Sequence, residues 1–187
     1  MVVNAAGAWC DEIAGLAGTR LVGLTPKRRT AILFDGPGEQ QFADWPMFID
    51  VDEEFYVRPE SGALMGSPAD ETPMRPCDVQ PDELDIAIAV DRLQKATTLE
   101  IRRISRSWAG LRSFVADKTP VVGFDPDLEG FFWLAGQGGY GIQTAPSLGR
   151  VAAALAVGGG IPEDLQAFGV RAADLSPERF ANGGSGT

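Results

Sequence analysis

Residues 131–135, Phe-Phe-Trp-Leu-Ala, form a short unbroken apolar run, the pattern of a strand buried on both faces. The run enters a glycine-rich stretch, Gly136 to Gly141, and emerges into an Ala- and Leu-rich segment from Ala145 to about Val157, which predicts a helix with Pro146 in its first turn. Met1 to Ala5 reads as a short buried strand, turned by Ala6-Gly7. Trp9, Ile13 and Leu16 then follow at helical spacing up to Gly18. From Leu21 to about Met65 the pattern changes to strands. Thr30–Phe34, Met47–Val51, Phe55–Val57 and Ala63–Met65 are separated by Gly-Pro-Gly, Asp-Glu and Glu-Ser-Gly turns, an antiparallel meander.

Pro68 to Pro81 is polar and proline-rich and predicts an irregular connection. A helix with an acidic first turn starts at Asp82, carries Leu84, Ile86, Val90 and Leu93 as an apolar stripe, and runs to about Ala96. Leu99 to Val115 predicts one long strand, or two joined at Ala109-Gly110. Val121–Gly123 predicts a further short strand before the turn at Asp125–Asp127. The pattern is that of an α+β protein. An antiparallel sheet lobe with a helix, residues 20–115, is inserted between residues 1–19 and 116–187, which resemble pieces of an α/β lobe. A strand–glycine–helix unit as short as 1–18 wants parallel neighbours, and few are present. The expectation is a fragment or a subunit, with self-association or a partner chain covering the surface around Val2 and Val121–Gly123.

The formal net charge of −10 argues against a general nucleic-acid or anionic-membrane binder. Basic residues cluster at Lys27–Arg29 and at Arg102, Arg103 and Arg106, the pattern of solvated strand faces. The chain has no His and only Cys10 and Cys77, which speaks against zinc and removes imidazole from any catalytic machinery. The cysteines read as free thiols, and the absence of a signal-like or membrane-spanning segment points to a cytoplasmic protein. The stretch 136–150 is the strongest chemical feature. Glycines permit close approach to a ligand, and a helix N-terminus offers free N–H groups and a positive dipole end, which suits a flat, partly anionic cofactor. An ordinary strand–helix connection that binds nothing fits the same residues.

Five segments in order resemble the D-amino-acid oxidase superfamily of FAD-dependent amine oxidoreductases, which includes glycine oxidase, sarcosine oxidase and the dimethylglycine dehydrogenases. They are Val2-Val-Asn-Ala-Ala-Gly-Ala-Trp9, Phe55–Gly62, Trp108-Ala-Gly-Leu-Arg112 with Asp117-Lys-Thr-Pro-Val-Val-Gly123, Gly136–Arg150, and Leu175-Ser-Pro-Glu-Arg-Phe180. The family begins with a strand, a G-x-G-x-x-G turn and a helix; no such motif is read in this chain, so the resemblance implies the C-terminal half of such an enzyme. It implies oxidation of a C–N bond in an amino acid or secondary amine, with hydride passing to flavin N5. Arg112 would clamp a substrate carboxylate and Tyr56 would cover the substrate, while Trp108 is assigned to packing. The flavin side would be formed by Ala6, Gly7, Trp9, Gly138, Gly139, Tyr140, Gly141, Ile142 and Gln143; no residue is assigned as catalytic. Gln143 stands where sarcosine oxidases carry a lysine, which leaves oxidase and dehydrogenase both open. No Cys lies near Gly110, so FAD is expected to be non-covalent, and it could be absent from the chain alone. The alternative is a non-catalytic, FAD-free remnant or a binding subunit that requires an N-terminal partner.

Overall fold

The computed structural model describes residues 1–38 and 42–180. Nine strands and five helices appear among them: β1 (Val2–Asn4), α1 (Cys10–Ala17), β2 (Thr25–Phe34), β3 (Phe48–Ile49), β4 (Tyr56–Glu60), β5 (Ala63–Ser67), β6 (Thr72–Pro73), α2 (Glu83–Ala96), β7 (Ile104–Phe114), β8 (Val121–Phe124), β9 (Phe131–Ala135), α3 (Gly141–Ala156), α4 (Glu163–Gln166) and α5 (Ala172–Leu175). The architecture is α+β. The chain divides into two compact units, a flanking one made of residues 1–26 and 112–187 and an inserted one made of 27–111. The tail expected to be flexible, Ala181–Thr187, lies outside the described residues.

In the flanking unit β9 is the central strand of a three-stranded sheet. β1 pairs with it in parallel (Val2 with Phe131, Asn4 with Trp133), and β8 pairs on its other side, antiparallel. Its unbroken apolar run is explained by two cores, one on each face. Phe131, Trp133 and Ala135 pack with Cys10 and Ala14 of α1, Val22, Leu24 and Val121. Phe132 packs with Val122, with Val151 and Ala152 of α3, and with Ile161 and Leu175. Asp125 pins the β8–β9 turn. Its carboxylate accepts the indole N–H of the fully buried Trp133 (2.8 Å), the Thr19 hydroxyl (2.7 Å) and the backbone N–H groups of Asp127 and Leu128 (2.9 Å each). Burial would raise the pKa of this carboxyl, but those four donors together hold it below the ordinary value.

Two expectations for this unit are corrected. β1 is not a buried strand: Val2 is 61% and Val3 45% exposed, and only Asn4 is enclosed, its amide donating to the Cys10 carbonyl at 2.8 Å. The reason is topological, since among the described residues β1 pairs with β9 alone. The helical spacing of Trp9, just before α1, with Ile13 and Leu16 within it does not mark a core-facing stripe. Cys10 and Ala14, both fully buried, face the core, because small side chains let the helix lie close against the sheet. Asp11 fastens the following segment by accepting the N–H groups of Val22 (3.2 Å) and Leu24 (2.8 Å). Both cysteines are free thiols; burial pushes the pKa of the Cys10 thiol up to about 11, which disfavours its thiolate.

The inserted unit is a six-stranded sheet in the order β3-β4-β5-β2-β6, with β7 also paired to β2. The meander is antiparallel as its turns predict, with Val57 opposite Gly66 and Leu33 opposite Met65. α2 starts where its acidic first turn predicts. The Asp82 carboxylate accepts the Leu84 N–H at 2.9 Å as an N-cap, while Ala89 and Leu93 bury into the sheet with Ile32, Phe34 and Val57. Gly66 is required there: a Cβ would stand 2.6 Å from Leu93 Cδ1. The stretch 68–81 is not wholly irregular, because Thr72–Pro73 pairs with Lys27–Arg28. That pairing turns the Lys27–Arg29 cluster into a network of ion pairs, with Arg28 2.8 Å from Asp85 and 3.8 Å from Asp70, and Lys27 2.8 Å from Glu71. β7 is a single strand through Ala109-Gly110.

Candidate functional site

The C-terminal ends of the parallel neighbours β1 and β9 lead into two glycine turns, and in open α/β sheets this is where ligands gather. After β1, Gly7 takes φ +59°, a conformation that excludes most side chains, and a single 3-10 turn (Gly7–Trp9) opens α1. Ala6 packs on the core below and Trp9 is 42% exposed. After β9, Gly136 (φ +70°) and Gly138 (φ +56°) reverse the chain into α3.

The glycine turn is packed on one side by the last residues of β7. The Gly138 N–H donates to the Ser113 carbonyl at 2.9 Å, and a Cβ on Gly138 would stand 2.9 Å from the Phe114 ring. A Cβ on Gly139 would stand 3.1 Å from Arg112 Nη1, so the guanidinium lies against the backbone of the turn. The glycines at 138 and 139 are what allow strand end, guanidinium and turn to come this close. On the other side the turn is open. Gly139 is exposed, Tyr140 is 61% exposed and Ile142 is 93% exposed, unusual for apolar side chains of this size.

α3 begins at Gly141, four residues earlier than its composition predicts, and Pro146 is an interior residue. The first backbone bond of the helical pattern runs from the Thr144 N–H to the Tyr140 carbonyl at 3.0 Å, and no side chain caps the end. The N–H groups of Gly141, Ile142 and Gln143 are therefore the positive end of the helix, two residues after Gly139, against which Arg112 lies. In this first turn the Thr144 hydroxyl also donates to the Tyr140 carbonyl at 2.9 Å.

Ala6, Gly7, Trp9, Arg112 and Gly138 to Gln143 all belong to the flanking unit, whereas Tyr56, half-buried on β4, belongs to the inserted one. Three features escaped the sequence reading. The reading that the chain has no G-x-G-x-x-G motif is corrected, since Gly136-Gln-Gly-Gly-Tyr-Gly141 has that spacing between a strand and a helix. What separates it from a dinucleotide unit is topology: among the described residues no strand follows α3, so there is no β-α-β crossover. Arg179 reaches Asp117, lowering the pKa of that carboxyl from its ordinary value, and Pro177 meets Gly123. Both pairs link the motif after Trp108 to the motif at the C-terminus, a long-range relation that spacing alone does not reveal.

Among the described residues no group of His, Cys, Asp and Glu could hold a metal ion, and no helix is long and apolar enough to cross a membrane. The geometry suits a flat, partly anionic group: a turn with no Cβ at positions 138, 139 and 141, a helix end without a side-chain cap and a guanidinium against Gly139.

Residues 1–155 match the family model described as FAD dependent oxidoreductase (DAO). The chain is 30% identical over 198 residues to FAD-dependent oxidoreductase domain-containing protein 1 of Xenopus laevis, an alignment covering 91% of this chain and 38% of that protein. Its fold matches L-proline dehydrogenase from P. horikoshii (TM-score 0.78, 24% identity, 98% of this chain and 47% of that one). It also matches glycine oxidase from Geobacillus kaustophilus (TM-score 0.68, 24% identity, 84% and 41%). The chain thus spans about two fifths of the curated relative it matches. An uncapped helix end with its cleared turn agrees with what the family model finds over most of the chain: this protein belongs to the DAO family of FAD dependent oxidoreductases.

Proposed function

We propose that this chain forms the ring-side wall and the carboxylate clamp of a flavin site that oxidises the C–N bond of an amino acid or a secondary amine, with FAD held non-covalently. The observation that carries the reading is the convergence of Arg112, Gly139 and the uncapped start of α3. A bound FAD supplies the two-electron acceptor. The chain's own residues bind and orient. The Gly141–Gln143 N–H groups present partial positive charge to an electron-rich ring edge, and Tyr140 and Ile142 give it an apolar surface. Arg112 offers the planar donor fork that matches a carboxylate.

The dinucleotide end of FAD is assigned to residues outside this chain's described fold, in a half that adds a parallel strand to β1. Three facts support that occupant. β1 already pairs in parallel with β9, and parallel edges are continued by helix-covered α/β units. Val2, Ile13, Leu16 and Phe131 line a shallow apolar cleft along this edge. More than half of the matched relative's length also lies outside the match.

The experiment is anaerobic bleaching of the flavin absorbance by glycine, sarcosine or proline, against the amines that lack the carboxylate. Carboxylate-bearing amines should act at lower concentration, and Arg112→Gln should raise the concentration required by roughly tenfold or more, the worth of a charge-assisted pair. Equal response of wild type and Arg112→Gln would refute the clamp. A flavin that stays oxidised with every amine would favour a non-catalytic binding subunit.

A further inference from the structure

Two motifs that read separately along the chain close on each other in the flanking unit. The Arg179 guanidinium spends its donors on five oxygens. Nε reaches Asp117 Oδ2 at 2.7 Å, and Nη2 reaches Asp117 Oδ1 at 3.3 Å and the Thr119 carbonyl at 2.6 Å. Nη1 reaches the carbonyls of Leu175 at 2.8 Å and Ser176 at 3.0 Å. Two residues before it, Pro177 packs over β8, where a Cβ on Gly123 would stand 3.3 Å from Pro177 Cδ. Asp117 and Gly123 are the ends of one motif, and Pro177 and Arg179 belong to the other.

The clamped segment is the turn between β7 and β8, in which Lys118 takes φ +58° and donates its N–H to the Val115 carbonyl at 3.0 Å. The three residues before that turn's start are Arg112, Ser113 and Phe114, the ones that pack against Gly138 and Gly139, and Val115 lies 3.5 Å from the Cβ position of Gly136. β7 therefore meets the glycine turn through its C-terminal end. That end continues into a turn whose other bonds are all local: the Lys118 backbone bond, the Thr119 N–H donating to the Asp117 carboxylate at 3.0 Å and the Thr119 hydroxyl donating to the Asp117 carbonyl at 3.4 Å.

We propose that Arg179 is a positioning residue for the site, fixing the β7–β8 turn so that Arg112 and Phe114 stay registered against Gly138 and Gly139. The inference deepens the flavin-site reading in its last step, but its geometric content stands without a flavin. Arg179 touches neither Arg112 nor the glycine turn in any bond described above; it acts through Asp117 and the strand end. A lysine keeps the charge and loses the fork, so Arg179→Lys should behave like Arg179→Gln.

The test is amide hydrogen exchange of the chain without ligand. In Arg179→Gln and Arg179→Lys, the Gly138 N–H bonded to Ser113 should exchange about tenfold faster or more, while the β8–β9 amides change by less than about threefold. Asp117→Asn leaves the three carbonyl bonds of Arg179 in place and should give a smaller rise at Gly138; it also keeps the test alive should the Arg179 variants fail to fold. A parallel rise at Gly138 and across β8–β9 would mean that Arg179 only holds the fold together, and an unchanged Gly138 would overturn the proposal outright. Flavin affinity, measured separately on Asp117→Asn, isolates the functional step: altered exchange with unaltered affinity would keep the clamp and refute its bearing on the site.

Discussion

The inserted unit closes its core with its own hairpins and helix, whereas the flanking unit leaves an apolar edge beside its central strand. In residues 27–111 the meander covers itself with α2, and Ile32, Leu64 and Leu93 are fully enclosed. Its basic cluster is neutralised within the unit by Asp70, Glu71 and Asp85. In residues 1–26 and 112–187 two good cores sandwich β9, yet Val2, Val3, Trp9 and Leu16 stay exposed along one edge, and Tyr140 and Ile142 stand out at the glycine turn. Local antiparallel hairpins complete a sheet from nearby sequence, whereas a parallel edge needs strands from elsewhere. Part of the flanking unit's exposure, at Val2, Leu16, Tyr140 and Ile142, thus lies where the proposed flavin wall and the proposed α/β neighbour would meet it, while Val157 and Phe168 are exposed beyond the C-terminal ends of α3 and α4.

This contrast can be broken most strongly in the cores. Leu93→Ala should cost the inserted unit about 2–5 kcal/mol, read by urea unfolding, because Gly66 and Phe34 are packed around it. A cost shared equally by both units in residue-resolved exchange would deny that they are separate. Asp125→Ala should cost the flanking unit about 2–3 kcal/mol by stranding the Trp133 indole N–H and the turn amides.

The same carboxylate gives a pH dependence. Asp125 and Asp117 are held below the ordinary carboxylate value in the fold, so their contribution is complete above the unfolded value of about 4 and is lost as pH falls through their folded values. The acid limb of the flanking unit's stability should therefore flatten in Asp125→Ala.

Smaller still, Asp82→Ala removes the N-cap of α2 and should cost about 1 kcal/mol, confined to the inserted unit. Least of all, Leu16→Ser should change stability by no more than about 0.5 kcal/mol, since Leu16 is 85% exposed, while lowering self-association in light scattering. A large loss of stability there would mean that the edge is already covered.

The meander, the cap of α2 and β9 were legible because each is set by neighbours in sequence: alternation, turn residues, an acidic first turn. The burial of β1 and the inward face of α1 were not, since both depend on which strands lie beside β1, and periodicity identifies an apolar face without saying what meets it. Of the site, Arg112 and the glycine turn could be found from their motifs, but the start of α3 could not. Its alanines point to residue 145, while the turn's own hydrogen bonds set it at Gly141. Arg179 and Asp117 were visible as motif residues. Only the fold discloses that they are one device.

In the proposed site the turn at 136–141 faces a flavin ring and is not a cradle for pyrophosphate, although its spacing allows either. Titrating the chain with FAD, riboflavin and ADP, followed by flavin fluorescence, separates the two. Ring-side binding predicts that riboflavin and FAD quench with affinities within a few fold of each other and that ADP does not compete. Binding of FAD alone, displaced by ADP, would place the dinucleotide on this turn and contradict the account.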